Sequence, residues 1–328
     1  SVEHMFDELT SDVPPWLVGL NDPQREAVLH GNGPLLVIAG AGSGKTRALA
    51  SRVARLVDEG VPAERVLLLT FTRRAAAEML RRSGALISDR SVGRVWGGTF
   101  HAVGNRLLRR YGNAVGLQDG FTVIDQADTA SLFGMLRTER GFSASKQRFP
   151  KKETIAAVYS RTVNARTPLA ETVEDRFPWV AEHIDALRDL FRAYTARKRE
   201  HNVVDYDDLL LYWSALFDSQ AGNTVRGLFD HVLVDEYQDT NRSQAEILRS
   251  LCGAGGNLTV VGDDAQAIYS FRGATVENIL EFPDSYEAAK VVKLEQNYRS
   301  TPQILDAANA VIEASPEVIP KRLWTERG

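Results

Sequence analysis

An α/β fold built on a parallel sheet is what this 328-residue sequence predicts, and three observations carry the reading. Four apolar runs, Leu35–Ala39, Val66–Phe71, Val232–Val234 and Leu258–Gly262, have the unbroken hydrophobic character of strands covered on both faces. Each leads into a polar, small or acidic turn and then a helix-like pattern, the alternation that builds parallel sheets. Position is the third observation. Ligands of such sheets sit beyond the C-terminal strand ends, and all four runs end at the residues with the most chemistry to offer.

The first run opens into Ala39-Gly40-Ala41-Gly42-Ser43-Gly44-Lys45-Thr46, followed by Arg47, a further expected nucleotide contact, and a helical pattern. Glycines at this spacing let backbone N–H groups close around phosphates. Lys45 supplies a cation for the outer phosphates, Thr46 a hydroxyl for Mg²⁺, and the helix N-terminus its dipole. Ala39 stands where the strict pattern has its first glycine, a small-for-small change. The third run ends in Asp235-Glu236-Tyr237-Gln238. An acid at a strand tip beside a phosphate loop can hold Mg²⁺ through water, which suits Asp235, and Glu236 is placed to polarise an attacking water. Read blandly, these are a glycine-rich turn and a solvated acidic turn; strand before and helix after favour ATP with Mg²⁺. An arginine facing the γ-phosphate would complete the site, and Arg272 and Arg299 are both candidates that residue chemistry alone does not separate.

The 44% hydrophobic and 25% charged fractions are those of an ordinary globular protein. Cys252 is the single cysteine, which excludes an internal disulfide and fits a cytoplasmic protein. No apolar run approaches a membrane span and no signal-peptide pattern opens the chain, so no membrane partner is expected. The formal charge of −4 hides local fields: 73–110 carry a net +7 and 137–166 a net +6, leaving −17 on the remainder. Such stretches are either solvated helix faces or a footprint for nucleic acid.

Between Tyr111 and about Asn202 the strand signal disappears. Gly112, Gly116 and Gly120 mark the entry, and Ala181–Arg199 reads as one long amphipathic helix. The expected organisation is a sheet domain of 1–111 and 203–293, an all-helical insertion at 112–202, and a further segment at 294–328.

From Leu20 to Thr325 the order of motifs resembles that of the UvrD/Rep/PcrA-type superfamily 1A DNA helicases. The resemblance implies a P-loop, RecA-like sheet with a helical insertion, and a motor moving 3′ to 5′ on single-stranded DNA and at single-strand/duplex junctions. Gln24, in Leu20-Asn21-Asp22-Pro23-Gln24, would read adenine, and Tyr298 would lie against it. Val66–Met79 and Gly97–Tyr111 look like the segments that pass along DNA, with Thr70, Phe71, Thr99, Phe100 and His101 touching the strand. Arg73 and Arg74 stand where relatives commonly show an Asn-Lys pair, and keep the positive charge there. Asp205-Tyr206-Asp207-Asp208-Leu209-Leu210 resembles the block by which the chain re-enters its ATPase domain. Gln266 would sense the γ-phosphate, while Tyr269 and Phe271 would face DNA, Phe271 at a position often occupied by Trp. Aromatic stacking suits a motor that ignores sequence, at about 1–3 kcal/mol per base; core packing is the alternative for both rings.

Family members continue into a second RecA-like domain, which supplies another arginine to the phosphate site. The resemblance therefore implies that 294–328 is the start of that domain, in a fragment or in a chain completed by a partner subunit or a missing C-terminal half. Arg299 and Tyr298 are then expected to be poorly supported, with 294–328 poorly ordered or packed non-natively. Two functions follow: an ATP-dependent DNA helicase or translocase in the intact form, or a nucleotide- and DNA-binding module without unwinding. An unrelated P-loop kinase or GTPase lacks an anchor, since no Asn-Lys-x-Asp guanine reader is present.

Overall fold

Strands buried on both faces must be apolar at every position, whereas strands at a sheet edge need not be. In the computed structural model, which describes residues 13–87, 90–142, 149–267, 274–314 and 319–327, that distinction organises the sheet. The strands are β1 (Leu35–Ala39), β2 (Val66–Leu69), β3 (Trp96–Gly98), β4 (Thr122–Val123), β5 (Val203–Val204), β6 (His231–Val234), β7 (Leu258–Gly262) and β8 (Lys290–Leu294). Six of them form one parallel sheet in the order β3-β2-β6-β7-β1-β8. The four predicted runs supply its four inner strands, every strand residue buried. Both edge strands escaped the sequence reading: β3 is the glycine-rich Trp96-Gly97-Gly98, and β8 alternates exposed lysines with buried Val292 and Leu294. The second run also ends early, at Leu69, because the Thr70 hydroxyl donates to the Thr72 carbonyl and turns the chain out of the sheet.

Side-chain alternation along β1 sends Leu36 and Ile38 to one apolar cluster and Leu35 and Val37 to another. Helices α1 (Asp22–Leu29), α2 (Lys45–Asp58) and α3 (Arg73–Ala85) contribute to the second cluster. The first cluster takes α4 (Phe100–Tyr111), and the chain then leaves the sheet through α5 (Gln126–Glu139), α6 (Lys152–Ala165), α7 (Leu169–Arg176) and α8 (Ile184–Glu200). On its return, α9 (Tyr206–Leu216), α10 (Gly222–Arg226) and α11 (Arg242–Cys252) complete the first cluster. A third apolar cluster draws all its buried residues from 133–194, with Phe133 stacked on Tyr194 at 4.1 Å.

Two expectations for this excursion need correction. It is not all-helical, because β4 lies within 112–202 and pairs in parallel with β5, so that the departing and returning chains satisfy each other's backbone groups. The long helix starts at Ile184, since Pro178 opens a separate 3₁₀ turn over Pro178–His183. Among the described residues no helix is long and apolar enough to cross a membrane.

The Asp205–Leu210 block fastens this root. Asp205 and Asp208 form a reciprocal capping box at the start of α9, and both accept from buried Lys198 of α8, at 2.7 and 2.5 Å. Burial works against the charge on Lys198, but the two carboxylates outweigh it and hold the ammonium above its ordinary pKa. Their neighbour Asp207 has no cation partner among the described residues: it accepts from Asn164 Nδ2 at 2.7 Å, and Asn164 accepts in turn from Asn241 at 3.0 Å. Burial, then the charge on Asp205, pushes Asp207 up to about 6, with Asp208 adding to the repulsion and Asn164 and Ser160 opposing it. The folded protein thus binds a proton near pH 6 that an unfolded carboxyl binds only near about pH 4, so this group's contribution to stability increases as pH falls. Asp207→Asn is accordingly expected to melt above the wild type at about pH 7.5, the gap closing toward about pH 5. Parallel melting curves across that range would remove the buried charge from the account.

Candidate functional site

Between β1 and α2 the chain reverses within a few residues, and its glycines make this possible. Gly42 and Gly44 take φ of +73° and +80°, the left-handed region open to glycine, and the Ser43 hydroxyl donates to the Gly40 carbonyl at 2.7 Å. Neighbours press on the loop as well: a Cβ would lie 2.4 Å from Leu323 at Gly40, 2.7 Å from Asn297 at Gly42 and 2.5 Å from Gln24 at Gly44. Gly44 brings no side chain to cap α2, so the helix N-terminus keeps its free donors and positive dipole end for an anion. Lys45 and Thr46 open that helix, both half-buried, after exposed Ala41. Ala39 is the buried last residue of β1. Arg47, expected at the nucleotide, donates instead to the Val18 carbonyl at 2.8 Å.

Opposite the loop stands the tip of β6. Glu236 sits there in the left-handed region at φ +52°, a strain of about 1–3 kcal/mol for a non-glycine residue. Its Oε2 accepts from Lys45 Nζ at 2.6 Å and from Gln238 Nε2 at 2.8 Å. Asp235 is only 8% exposed, and its Oδ1 has no hydrogen-bond partner among the described residues. Burial, then the Glu236 charge, pushes its carboxyl up to about 6. A buried carboxylate oxygen left without a donor, beside a phosphate loop, fits a hard divalent cation, so the Mg²⁺ expectation for Asp235 suits this site. Thr46 follows Lys45 in the first turn of α2. Asp235, Glu236, Gln238, Asp239 and Gln266 line a cleft of about 300 Å³ together with Phe71 and Thr72. Gln266 Nε2 donates to Asp263 Oδ2 at 2.6 Å.

On the far side of the loop, Gln24 is buried and both ends of its amide are used. Oε1 accepts from the Asn21 N–H in a capping box for α1, and Nε2 donates to the Ser43 carbonyl at 2.9 Å. Tyr298 lies beside it, half exposed, its hydroxyl accepting from Asn21 Nδ2 at 2.9 Å and donating to Gln296 at 3.0 Å. The expectation that Tyr298 and Arg299 lack support is not met in the described residues of 294–328. Asn297 Nδ2 donates to the Ala41 carbonyl, and Asn297 Oδ1 receives the N–H groups of Arg299 and Ser300 at 2.7 Å each. The Tyr298 N–H reaches the Gly42 carbonyl at 2.9 Å. One buried asparagine thus ties the segment to the phosphate loop and sets Arg299, exposed, beside Gly42. Asn21, Asn297 and Gln238 were not among the predicted site residues. Asn297 lay inside the block that contains Tyr298 and Arg299, and only its contacts reveal its part.

The residues predicted to meet DNA divide. Phe71 is 42% exposed at the cleft mouth, and Arg73 and Arg74 are exposed in the first turn of α3. Cations at that end oppose the helix dipole, an arrangement that favours a bound anion. Thr70 is buried in the turn described above, and Thr99 caps α4 by accepting from the Ala102 N–H at 3.2 Å. His101 meets Tyr206 edge-on at 5.8 Å, and burial lowers its pKa, keeping the ring neutral. Phe100 is a correction: it is 6% exposed and packs on Trp213, so its ring offers no stacking surface. Phe100, Val103 and Leu107 share the buried face of α4, a helical period the sequence already displays. Tyr269, Phe271 and Arg272 lie outside the described residues.

The sequence matches a known family model and several curated relatives. A family model described as the UvrD/REP helicase N-terminal domain matches residues 20–287. The ATP-dependent DNA helicase PcrA of Leuconostoc citreum is 41% identical over 94% of this chain and 41% of its own length. UvrD1 of Mycobacterium leprae (strain TN), also an ATP-dependent DNA helicase, is 38% identical over 97% of this chain and 42% of its own. PcrA of Staphylococcus epidermidis (strain RP62A) is 38% identical over 93% and 41%. This chain spans about two-fifths of the length of these curated relatives. A phosphate loop facing Asp235 and Glu236 across a parallel sheet, matched along most of its length, places the chain in the UvrD/REP helicase N-terminal domain family.

Proposed function

We propose that this chain binds ATP with Mg²⁺ and single-stranded DNA, as the front portion of an ATP-driven motor that moves 3′ to 5′ on DNA and acts at single-strand/duplex junctions. The observation that carries this reading is the shared cleft: Asp235, Glu236 and Gln266 open into the same space as Phe71 and Thr72, which lie within the segment Val66–Met79 predicted to pass along DNA. Residues 1–111 and 203–293 then form the ATPase unit, 112–202 an insertion, and 294–328 the beginning of a second motor domain. A cytoplasmic location accompanies this reading.

Chemically, the phosphates replace Glu236 as the partner of Lys45. Glu236, released, is free to orient and deprotonate the attacking water, and Gln266 and Arg299 face the outer phosphate. Asp235 and Thr46 would hold Mg²⁺, which would supply charge neutralisation for the phosphates. Gln24 exchanges its hold on Ser43 for the adenine edge, and Tyr298 provides a flat face for the ring. A change in the cleft at Gln266 or Glu236 reaches Phe71 and Thr72 directly, which couples nucleotide state to the DNA segment.

Fluorescence anisotropy with labelled oligo-dT across a salt series tests the DNA half of this reading. Affinity is expected to fall as salt rises, and Arg73→Ala/Arg74→Ala should flatten the log–log slope by about 1.4, two single-strand phosphate contacts. Binding indifferent to salt, or a slope unaltered in the double variant, overturns it. A strand-displacement assay on a forked duplex separates the motor from a module that only binds.

A further inference from the structure

The phosphate site is backed by a buried ion cluster to which the proposed chemistry assigns no part. Lys321, its side chain 1% exposed, places its ammonium 2.6 Å from Asp263 Oδ1 and also bonds Asp264 Oδ1. Asp264 Oδ2 receives the Ile319 N–H at 2.6 Å. Asp263 immediately follows β7 and faces the site in two ways. Its Oδ2 accepts from Gln266 Nε2 at 2.6 Å, and its N–H donates to Gln238 Oε1 at 3.0 Å. Gln238 Nε2 in turn bonds Glu236 Oε2, the oxygen held by Lys45. An unbroken series of contacts therefore runs from Lys321 through Asp263 to Gln266 on one branch and to Gln238, Glu236 and Lys45 on the other.

We propose that Lys321 is a positioning residue for the phosphate site: by fixing the carboxylate plane of Asp263 it sets Gln266 for the outer phosphate. The two oxygens of Asp263 have separate partners, Lys321 and the Ala265 N–H on Oδ1 and Gln266 on Oδ2. Holding Oδ1 with a cation fixes the direction in which Oδ2 points, and so fixes the amide bonded to it. Lys321 also neutralises one of two adjacent buried carboxylates; without it the pair repels and Asp263 turns away from its neighbour. Among the described residues the Lys321 ammonium bonds Asp263 and Asp264 and no residue of the phosphate loop or the cleft lining, so its removal acts on the recognition of the third phosphate and not on the phosphates held by the loop.

The proposal rests on the ATP-binding reading above, and its test keeps the two apart. Affinities for a non-hydrolysable ATP analogue and for ADP, both with Mg²⁺, are measured by calorimetry on the wild type and on Lys321→Met. The analogue is expected to weaken about tenfold, one charge-assisted hydrogen bond on the sensor, with ADP affinity within about twofold. Lys321→Met leaves two carboxylates facing each other, so the measurement is repeated on Lys321→Met/Asp264→Asn, where one remains, with the same loss expected. Asp264→Asn alone should keep the preference for the analogue, because Asp264 does not touch Gln266. Equal weakening of both nucleotides, as a general loss of packing would give, overturns the proposal, and so does an unchanged preference in the Lys321 variants. A wild type that binds neither nucleotide overturns the ATP-binding reading itself, and this proposal with it.

Discussion

Lys45→Ala is expected to weaken Mg·ATP binding about a hundredfold or more while leaving the fold intact, because the phosphates lose their charge-assisted donor. The geometry adds a contrast. Lys45 is paired to Glu236 at 2.6 Å, a contact that a bound phosphate would have to replace. Glu236→Gln keeps the shape of the side chain but weakens the competing pair. ATP should therefore bind this variant as tightly as the wild type or a few-fold more tightly, while turnover falls through loss of the base. Calorimetric titration of both variants, with melting temperatures as the control for folding, decides the matter. Wild-type affinity in Lys45→Ala would sink the phosphate-loop assignment; weakened binding in Glu236→Gln would show that Glu236 supports the nucleotide and does not compete with it.

How far the sequence foretold this arrangement depends on how strongly each element is constrained by burial. The inner strands carry apolar runs because both faces are covered, and those runs alone located β1, β2, β6 and β7. Edge strands β3 and β8 face no such demand on their outer side, and three residues with two glycines, or lysines alternating with valines, announce nothing. The phosphate loop and the Asp235-Glu236 tip were legible because their chemistry is local: adjacent residues act on one group. Partners that reach the site from elsewhere in the chain were not. Asn297 holds the loop across 256 positions, and Lys321 reaches Asp263 across 58, contacts no local pattern encodes. For Phe100 the information was present but outweighed: motif order suggested DNA, whereas its helical period with Val103 and Leu107 pointed inward.

Arg52→Leu is expected to cost about 3 kcal/mol or more, although residue 52 is remote from any reacting atom. Arg52 is 2% exposed in the middle of α2, and no carboxylate is among its hydrogen-bond partners in the described structure. Its guanidinium donates to the carbonyls of Ala27, Val28, His30 and Gly31 at 3.0, 3.2, 2.6 and 3.3 Å, and to Thr259 Oγ1 of β7 at 3.0 Å. These carbonyls belong to the C-terminal end of α1 and the turn after it, where the helix leaves its last acceptors unsatisfied and its dipole is negative. A cation is welcome there, which is how one survives burial: desolvation, then the nearby Arg55, lowers its pKa only to about 10, so it stays charged at neutral pH. Leucine fills part of the volume but removes the guanidinium donor from the Ala27 and Gly31 carbonyls, while Arg55 still reaches those of Val28 and His30 at 2.8 and 3.0 Å. A fall in melting temperature on the order of 6 °C should follow. Function should suffer as well, because α1 presents Asn21 and Gln24 to Tyr298 and the phosphate loop. Looser anchoring of α1 should weaken adenine nucleotides while sparing inorganic triphosphate, which has no base to place. Arg52→Lys, with three donors on a compact head, should recover only part of the stability. A variant melting within about 1 °C of the wild type would show these carbonyls satisfied without Arg52. Equal weakening of ATP and triphosphate would place the damage in the loop and not at the base.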